Sequence, residues 1–396
     1  MWTKPTQEYI RYRIKNQGFP NPHGKVLTHV SEAIFKAQLH PGARMENLSA
    51  NLLRIIHQTA AWESIPDSVV QERNPKDTER VISLKNWTRY VLLYAVTSCF
   101  FGEVIFRVDP RILEYFMDFD EDSWQFTYQI SRVFTQKMFR AKTRIQNVFN
   151  DYLDLSVTIR SDASWMVLTL ESEMRAAGIG SKDISAYLMM LYWVINSNAW
   201  KAAFWQSSHI LLDTKLQKAI EKQVKPLFTP THLQIPNEIM DQLEASSLLV
   251  AAYNETLRVC TSSVGVRNVA GDCVIGNKIL QKGSRLLMHY SQMLMDEKVF
   301  GRNPKKFDHH RFLDQPSLAK DPSFRPFSGD LKYCPGRFLA QKEVLFLVSL
   351  LFGTYGTKIQ GTKQETPGME NKKPSLGMMG PKADGDLYVV VKIDGN

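Results

Sequence analysis

One cysteine, Cys334, lies where a loop turns into a predicted helix. Residues 324–340 read Phe-Arg-Pro-Phe-Ser-Gly-Asp-Leu-Lys-Tyr-Cys-Pro-Gly-Arg-Phe-Leu-Ala. Unpaired N–H groups at a helix N-terminus stabilise a thiolate. Gly336 lets a flat ligand approach the backbone, and Phe327 can shield the sulfur. A thiolate in this setting can be the axial ligand of haem iron; the alternative is a buried structural cysteine, the usual state of a free Cys.

A carboxylate and a guanidinium accompany this cysteine. Glu255 and Arg258 lie three positions apart on one face of an apolar predicted helix. Arg311, within Phe307-Asp-His-His-Arg-Phe312, lies between that helix and the cysteine loop. An ExxR pair alone occurs by chance in many helices. The order ExxR, FxxxRF and FxxGxxxCxG is much more specific.

This order of motifs resembles the cytochrome P450 superfamily of haem-thiolate enzymes. The resemblance runs from about His29 to the C-terminus and is closest to the branch of bile-acid sterol hydroxylases and prostacyclin synthase. Three stretches carry the branch assignment, namely Asn198-Ala-Trp-Lys-Ala-Ala-Phe-Trp205, Cys334-Pro-Gly-Arg337 and Leu376-Gly-Met-Met-Gly-Pro381. The resemblance implies a mainly α fold with a small β-rich part, and it implies that residues 1–396 form one haem-thiolate domain.

The resemblance also implies roles for single residues. Cys334 would bind the iron of haem b, and Glu255, Arg258 and Arg311 would form a buried ion network behind the haem loop. Haem-pocket positions would also include Phe327 and Gly336, with Arg267 and Lys332 at the haem propionates. Both cations can equally be solvated surface residues. Lys332, Arg337 and Lys342 would lie on the thiolate side, where an acidic NADPH-dependent reductase could dock, although an ordinary basic surface explains them as well.

Several positions depart from the family pattern. The loop glycine is Gly329, one residue before its usual place, which is Asp330 here. The Pro and Glu of the FxPxRF segment are replaced by His309 and His310. The family's membrane anchor and first strands have no counterpart before Met1, so we expect an N-terminally truncated version of the fold.

The predicted distal helix carries Ser197 and Asn198, where oxygen-activating members usually pair an acid with a Thr. Cleavage of O–O requires delivered protons, and Asn can hydrogen-bond a ligand or position water but cannot act as an acid. A helix kink with packed polar side chains is the structural alternative. The same feature is similar to the prostacyclin synthase branch, whose members rearrange peroxides without a reductase. Some sterol hydroxylases of the same branch also carry Asn there, so the feature does not decide between the two activities.

Substrate contacts follow from the resemblance alone. They would come from the stretches Ile195–Trp200, Ser262–Val264 and Leu376–Met379, and above all from Ile195, Ser263, Val264 and Met378. Mostly apolar groups with a few hydroxyls and amides suit a bulky lipophilic substrate. Ordinary core packing is the alternative at each position.

Hydrophobic periodicity predicts the elements that position these residues. Helices are predicted at Ser31–His57 with a break at His40-Pro-Gly, at Ser83–Gly102, twice within Tyr115–Arg160, and at Ile184–Leu212, Asp241–Val259 and Phe338–Phe352. Short strands are predicted at Val264–Val269, at Cys273–Leu280 around a Gly276-Asn277 turn, at Arg285–Tyr290 and at Asp386–Ile393. Lys305–Phe327 and Lys358–Pro374 are predicted as irregular segments.

Composition excludes several classes of protein. The 396 residues include 44% hydrophobic residues and a net charge of 49 − 40 = +9, as in ordinary globular chains. The four cysteines form no CxxC pair, which argues against a disulfide scaffold or zinc site and favours a reducing compartment. No signal peptide, membrane-spanning segment or basic stretch interleaved with aromatics for nucleic-acid binding is present.

The sequence therefore predicts a monomeric haem-thiolate monooxygenase that takes electrons from NADPH through a reductase. Its substrate would be a sterol, terpenoid or polyketide-like molecule, with a role in secondary metabolism. By resemblance it would act at the cytoplasmic face of the endoplasmic reticulum, with the cytoplasm as the alternative because no transmembrane anchor is predicted in this chain. The alternatives are a reductase-independent isomerase or lyase of a lipid peroxide, and a non-catalytic truncated remnant.

Overall fold

The computed structural model describes residues 26–228, 236–329, 333–361 and 365–393. Helices predominate and the strands are short, which confirms the predicted mainly α class. The helices are α1 (Leu27–Leu39), α2 (Ala43–Ala60), α3 (Leu84–Phe101), α4 (Val104–Val108), α5 (Ile112–Asp122), α6 (Trp124–Thr127), α7 (Gln136–Asp154), α8 (Trp165–Ala176) and α9 (Ser181–Asn196). They continue with α10 (Ala199–Leu212), α11 (Thr214–Val224), α12 (Pro236–Ala245), α13 (Ser247–Cys260), α14 (Tyr290–Leu294), α15 (Glu297–Phe300), α16 (His310–Asp314) and α17 (Arg337–Thr354).

The strands form three small antiparallel sheets. They are β1 (Val70–Arg73), β2 (Glu79–Ser83), β3 (Val264–Asn268), β4 (Cys273–Ile275), β5 (Lys278–Leu280), β6 (Arg285–His289), β7 (Tyr355–Ile359) and β8 (Tyr388–Ile393). The largest sheet has the order β1-β2-β8-β7, and the others pair β3 with β6 and β4 with β5. Gly276, at φ +60°, makes the predicted turn between β4 and β5.

The helix α17 lies at the centre of the core. It is apolar on nearly every face from Val344 to Phe352, as the sequence predicted, and it packs against α2, α10 and α11. The buried apolar side chains form one continuous cluster that extends from Leu27 to Val391. The loop that carries Cys334 enters α17 directly, so the core holds its first turn in place.

The sequence predicted one helix over Ile184–Leu212, but the structure has two helices in this range. The α9 helix ends at Asn196 and α10 begins at Ala199. The hydroxyl of Ser197 donates to the carbonyl oxygen of Trp193 at 2.5 Å. Such bonding back onto the preceding turn bends helices, and the kink that the sequence left as an alternative is present here.

A second predicted helix also corresponds to parts of two helices in the structure. Asp241–Val259 is divided at Ser246, whose side chain accepts the N–H of Leu249 and caps α13. The strands β1, β2 and β7 were not predicted. Their pairing partners lie far away in the sequence, since β8 joins both β2 and β7.

A buried ion network outside the candidate site joins α8 to the preceding loop. Arg160 donates to both carboxylate oxygens of Glu171, at 2.6 and 3.0 Å, and Arg175 Nε donates to Glu171 at 2.8 Å. The Arg160 and Glu171 side chains are only 1% and 4% exposed. Because every partner is satisfied, this network can hold the α7–α8 connection without an uncompensated charge.

Candidate functional site

The half-buried Cys334 lies three residues before α17. Its N–H donates to the carbonyl oxygen of Phe327 at 3.1 Å, which closes the loop into a turn. Arg337, the first residue of α17, donates a hydrogen bond from Nη1 to the Cys334 carbonyl oxygen at 2.9 Å. The sulfur is therefore fixed at the N-terminus of a buried helix, where the sequence placed it.

Two opposing effects act on the Cys334 thiol. Burial raises its pKa, whereas the N–H groups of Gly336 and Arg337 and the Arg337 charge lower it. Burial is the larger effect, so the pKa lies above its ordinary value in the protein alone. The helix N-terminus stabilises the thiolate as expected, but without a positive ligand it does not outweigh desolvation.

The surroundings of the sulfur fit a flat prosthetic group. A Cβ added at Gly336 would have only Cys334 Sγ within 4 Å, at 3.9 Å, so open space lies beside the sulfur. A single cysteine with backbone N–H groups aimed at it is the donor set of a haem-thiolate centre. The described residues hold no group of three or more His, Cys, Asp or Glu side chains arranged for another metal.

The cysteine loop contains one non-glycine residue in a left-handed conformation. Ser328 has φ +66°, a left-handed conformation that non-glycine residues rarely adopt. Its hydroxyl lies 3.2 Å from the Tyr290 hydroxyl, and this contact fixes the strained residue. The one-residue shift predicted from Gly329 concerns Asp330, which lies outside the described residues.

Glu255 and Arg258 form a fully buried bidentate pair on α13. Arg258 Nε and Nη2 donate to the two Glu255 oxygens at 2.8 Å each, and Nη1 donates to the Leu294 carbonyl at 2.8 Å. Burial raises the pKa of Glu255, against the lowering by Arg258 and by the Asp308 N–H. The pair fastens α13 to α14, and through Asp308 to the segment before the cysteine loop.

Arg311 completes this network from α16. Its Nη1 lies 3.7 Å from Glu255 Oε1 and 3.5 Å from Asp308 Oδ2. Its Nε donates to the Phe300 carbonyl at 2.8 Å, and Nη2 donates to the carbonyls of Arg302 and Asn303. The structure thus brings together the three residues that the motif order selected.

Arg267 lies on β3, on the same strand face as Gly265. A Cβ at Gly265 would collide with the Tyr290 hydroxyl, which contacts Ser328 of the cysteine loop. Arg267 therefore lies on the side of β3 that faces this loop, and its exposed guanidinium donates to the Val266 carbonyl at 3.0 Å. The other predicted propionate ligand, Lys332, lies outside the described residues.

Asn198 is held by the segment that contains Met378. Its Oδ1 accepts the Met378 N–H at 2.9 Å, so the amide orientation is fixed with Nδ2 as its remaining donor. Ser262 N–H donates to the Gly377 carbonyl at 2.9 Å, and Thr261 and Met378 form a β-bridge. Three segments predicted to contact substrate therefore meet at this point.

A cavity of about 890 Å³ opens beside Ser197, Asn198 and Met378. The other predicted contacts, Ile195, Ser263 and Val264, are not in its wall. Residues outside the stretches that the sequence singled out also line it, among them Arg89, Asp120, Trp124 and Trp193. The pattern of α9 and α10 identified the helix face, but the partners contributed by α3 and α5 depend on the tertiary fold.

Two residues of the predicted basic patch, Arg337 and Lys342, already have partners within the protein. Lys342 Nζ lies 3.2 Å from Glu244 Oε2 of α12, and Arg337 is bonded to the Cys334 carbonyl. Arg337 also lies over the Phe338 ring, at 4.2 Å from its centroid. An acidic partner would therefore meet an ion pair at Lys342 rather than a free cation.

Glu343 is a buried carboxyl on α17 that no sequence motif predicted. It is 4% exposed, its Oε2 has no hydrogen-bond donor among the described residues, and burial raises its pKa to about 8. Below that pH the folded protein carries the protonated acid in its core.

We expect Glu343 to make the stability of the protein fall as pH rises. Between about pH 4.5 and pH 8 the unfolded chain releases the proton that the folded state retains, so the free energy of unfolding decreases by a few kcal/mol in order of magnitude. Glu343→Gln should remove this slope in denaturant titrations across that range. Glu46→Gln, at an exposed position on α2, is the matched control. An unchanged slope in Glu343→Gln would contradict the assignment.

Comparison with known proteins gives consistent matches. Residues 208–384 match the family model described as Cytochrome P450. A cytochrome P450 monooxygenase of Penicillium oxalicum is 24% identical over 69% of this chain and 57% of its own length. One of Gibberella zeae is 24% identical over 86% of this chain and 66% of its own length.

A human relative extends the similarity to sterol enzymes. The 24-hydroxycholesterol 7-alpha-hydroxylase of Homo sapiens is 22% identical over 70% of this chain and 61% of its own length. The chain thus spans about three fifths of the length of these relatives. No helix among the described residues is long and apolar enough to cross a membrane.

Proposed function

We propose that the chain is a haem-thiolate monooxygenase of the cytochrome P450 superfamily, which the match of residues 208–384 to that family model and the similarity to the relatives named above support. It inserts one oxygen atom from O2 into a lipophilic substrate. The observation that carries the proposal is Cys334, fixed at the N-terminus of α17 with open space over Gly336 and the Glu255–Arg258–Arg311 network behind it. The chain acts as one haem-thiolate domain.

The chain's own residues divide the work of holding haem b. Cys334 would supply a thiolate ligand to the iron, the Phe327 carbonyl would hold the loop by accepting the Cys334 N–H, and Arg267 and Lys332 would pair with the haem carboxylates. Bound haem supplies the iron centre at which O2 is activated. The buried network keeps the loop and α13 in register, so Glu255, Arg258 and Arg311 are structural and not catalytic.

Asn198 is the residue that we expect to position oxygen atoms of water or substrate in the cavity. Because its Oδ1 is occupied by the Met378 N–H, Nδ2 can donate to a substrate oxygen or to a water in the cavity. The Ser197 hydroxyl is bonded to Trp193, so it is not a ready proton source. Protons therefore reach the site through water that Asn198 positions, or through a substrate hydroxyl.

The substrate class and the redox partner are also part of this proposal. Fungal relatives are named monooxygenases and a human relative is named for sterol hydroxylation, which supports a sterol, terpenoid or polyketide-like substrate and a role in secondary metabolism. Electrons come from NADPH through a reductase, and the enzyme works as a monomer at the endoplasmic reticulum.

A second candidate is favoured by one observation, the absence of an acid at positions 197 and 198. An isomerase or lyase of a lipid peroxide needs neither protons from the protein nor a reductase. In that case Asn198 Nδ2 orients the peroxide oxygen. A non-catalytic remnant is the third reading, and it requires that the folded chain binds no haem.

Replacements of Asn198 separate the two enzymes. For a monooxygenase, Asn198→Thr should preserve or improve the coupling of NADPH consumption to product, because a hydroxyl can hold the relay water, whereas Asn198→Leu should uncouple it. For an isomerase both should slow turnover. Asn198→Asp keeps an acceptor for the Met378 N–H and adds an acid, so a monooxygenase should keep its coupling in this variant, whereas an isomerase loses the Nδ2 donor and should still slow. Product and NADPH are measured together with a reductase, and peroxide turnover without one.

We expect reductase dependence. Rapid turnover of a lipid hydroperoxide without reductant, together with no NADPH-supported product from a panel of lipophilic compounds, would overturn the monooxygenase in favour of the isomerase.

A further inference from the structure

A side-chain hydrogen bond joins the two ends of the cysteine loop. Arg325 Nη1 donates to the Tyr333 hydroxyl at 2.9 Å, and Arg325 Nε donates to the Pro322 carbonyl oxygen at 2.7 Å. Tyr333 is the residue immediately before Cys334. In the described part of the loop, one backbone hydrogen bond also crosses it, from the Cys334 N–H to the Phe327 carbonyl. The side-chain bond is thus a second closure of the loop beside the cysteine.

A second arginine holds the exposed Tyr333 ring. The guanidinium carbon of Arg337 lies 5.3 Å from the ring centroid, and that of Arg325 lies 5.9 Å from it. Arg337 also donates to the Cys334 carbonyl oxygen. Because a cation over an aromatic ring is attracted to it, Tyr333 is held by one residue that precedes the cysteine and by one that follows it.

Gly329 provides the space that the Arg325 side chain occupies. A Cβ added at Gly329 would collide with the Arg325 guanidinium and would lie 2.9 Å from Arg325 Cδ. The backbone itself does not require glycine there, because the left-handed residue is the preceding Ser328, and φ of Gly329 lies outside the left-handed range. Glycine at this position is therefore explained by the side chain that crosses it.

We propose that Arg325, Gly329 and Tyr333 form a clasp that positions Cys334 as a ligand. The clasp restrains the residue before the cysteine and so limits the directions in which the sulfur can point. Groups that orient a ligand side chain affect metal binding as the ligand itself does. Arg325 and Tyr333 are positioning residues, since they act through Cys334. The inference rests on the proposed function only for the iron that Cys334 would bind.

The lifetime of thiolate ligation tests the clasp. The holoprotein is reduced, carbon monoxide is added, and the decay of the red-shifted Soret band is followed, because this band reports the axial thiolate. Tyr333→Phe removes the acceptor of the hydrogen bond, and Gly329→Ala displaces the Arg325 side chain. We expect each replacement to shorten the lifetime about fivefold, the effect of one lost hydrogen bond.

The melting temperature separates positioning from general stability. Because the Arg325–Tyr333 bond is exposed, its loss should change the melting temperature little. A shortened lifetime at an unchanged melting temperature identifies a positioning role. An unchanged lifetime in both variants would overturn the proposal, and so would a lifetime that falls only in proportion to a lowered melting temperature.

A double replacement makes the test specific. Arg325→Ala removes the atoms with which a Cβ at position 329 collides, so Gly329→Ala should have no further effect in that background. Additive losses from the two replacements would contradict the clasp. The controls are Tyr128→Phe, at a tyrosine that is 52% exposed, and Gly271→Ala, where a Cβ would meet no atom within 4 Å. Both controls should keep the wild-type lifetime.

Failure of the clasp is distinguishable from failure of the proposed function. In the haem-free chain, with the exposed Cys273 replaced by Ser, the half-buried Cys334 is alkylated with iodoacetamide. Variants without the clasp should react about fivefold faster, because the loop opens more often. Equal rates would contradict the clasp even in a chain that binds haem. Faster rates in a chain that never binds haem would retain the clasp and refute the monooxygenase.

Discussion

Replacing Cys334 with His abolishes the red-shifted Soret band that the reduced carbon monoxide adduct of the wild-type protein is expected to show. The identity of the axial ligand sets this band, and Cys334 is the cysteine held at the start of α17 by Phe327 and Arg337. The variant can retain haem, because an imidazole is also a haem ligand. Optical spectra and haem content measure the two effects separately.

The matched control is Cys273→Ser. Cys273 is an exposed cysteine on β4, and its loss should leave the spectrum unchanged. If the wild-type chain folds but binds no haem, or if Cys334→His keeps the red-shifted band, the haem-thiolate assignment is wrong.

Arg258→Ala is expected to yield aggregated or haem-free protein. The replacement leaves Glu255 buried without its bidentate partner, and breaking a buried ion pair costs about 3–5 kcal/mol. That is a large share of the roughly 5–15 kcal/mol that stabilises most domains. Denaturant unfolding measures the loss of stability, and the ratio of haem to protein measures the loss of haem.

Two further variants make this result specific. Arg54→Ala removes an exposed arginine of α2 that donates to the side chains of Asn51 and Gln58, and it should change little. Combining Glu255→Gln with Arg258→Met should recover part of the loss, because no charge then remains unpaired. A stable Arg258→Ala holoprotein with a normal spectrum would mean that this ExxR pair is a chance match.

Local sequence patterns predicted the features that depend on local structure. The apolar run of α17, the break at His40 and the turn at Gly276 follow from periodicity and turn residues, and the structure contains all three. The Glu255–Arg258 pair could be predicted because it lies within one helical turn.

Features made by distant partners could not be predicted from local patterns. The strand β1 reads Val-Gln-Glu-Arg, with no apolar alternation, and forms because β2 pairs with it. Arg160 and Glu171 lie on different elements, so nothing local marks them as partners. The Asn198–Met378 bond joins residues 180 positions apart and depends on the complete fold.

The strand order β1-β2-β8-β7 has a consequence for biosynthesis. Because β8 lies between β2 and β7, both neighbours have an open edge until residues 388–393 leave the ribosome. Unpaired edges attract other chains, and long-range pairing is slow to form. The nascent protein therefore passes through a period in which its largest sheet is split, and ribosome-bound chains that stop before Tyr388 should depend most on chaperones.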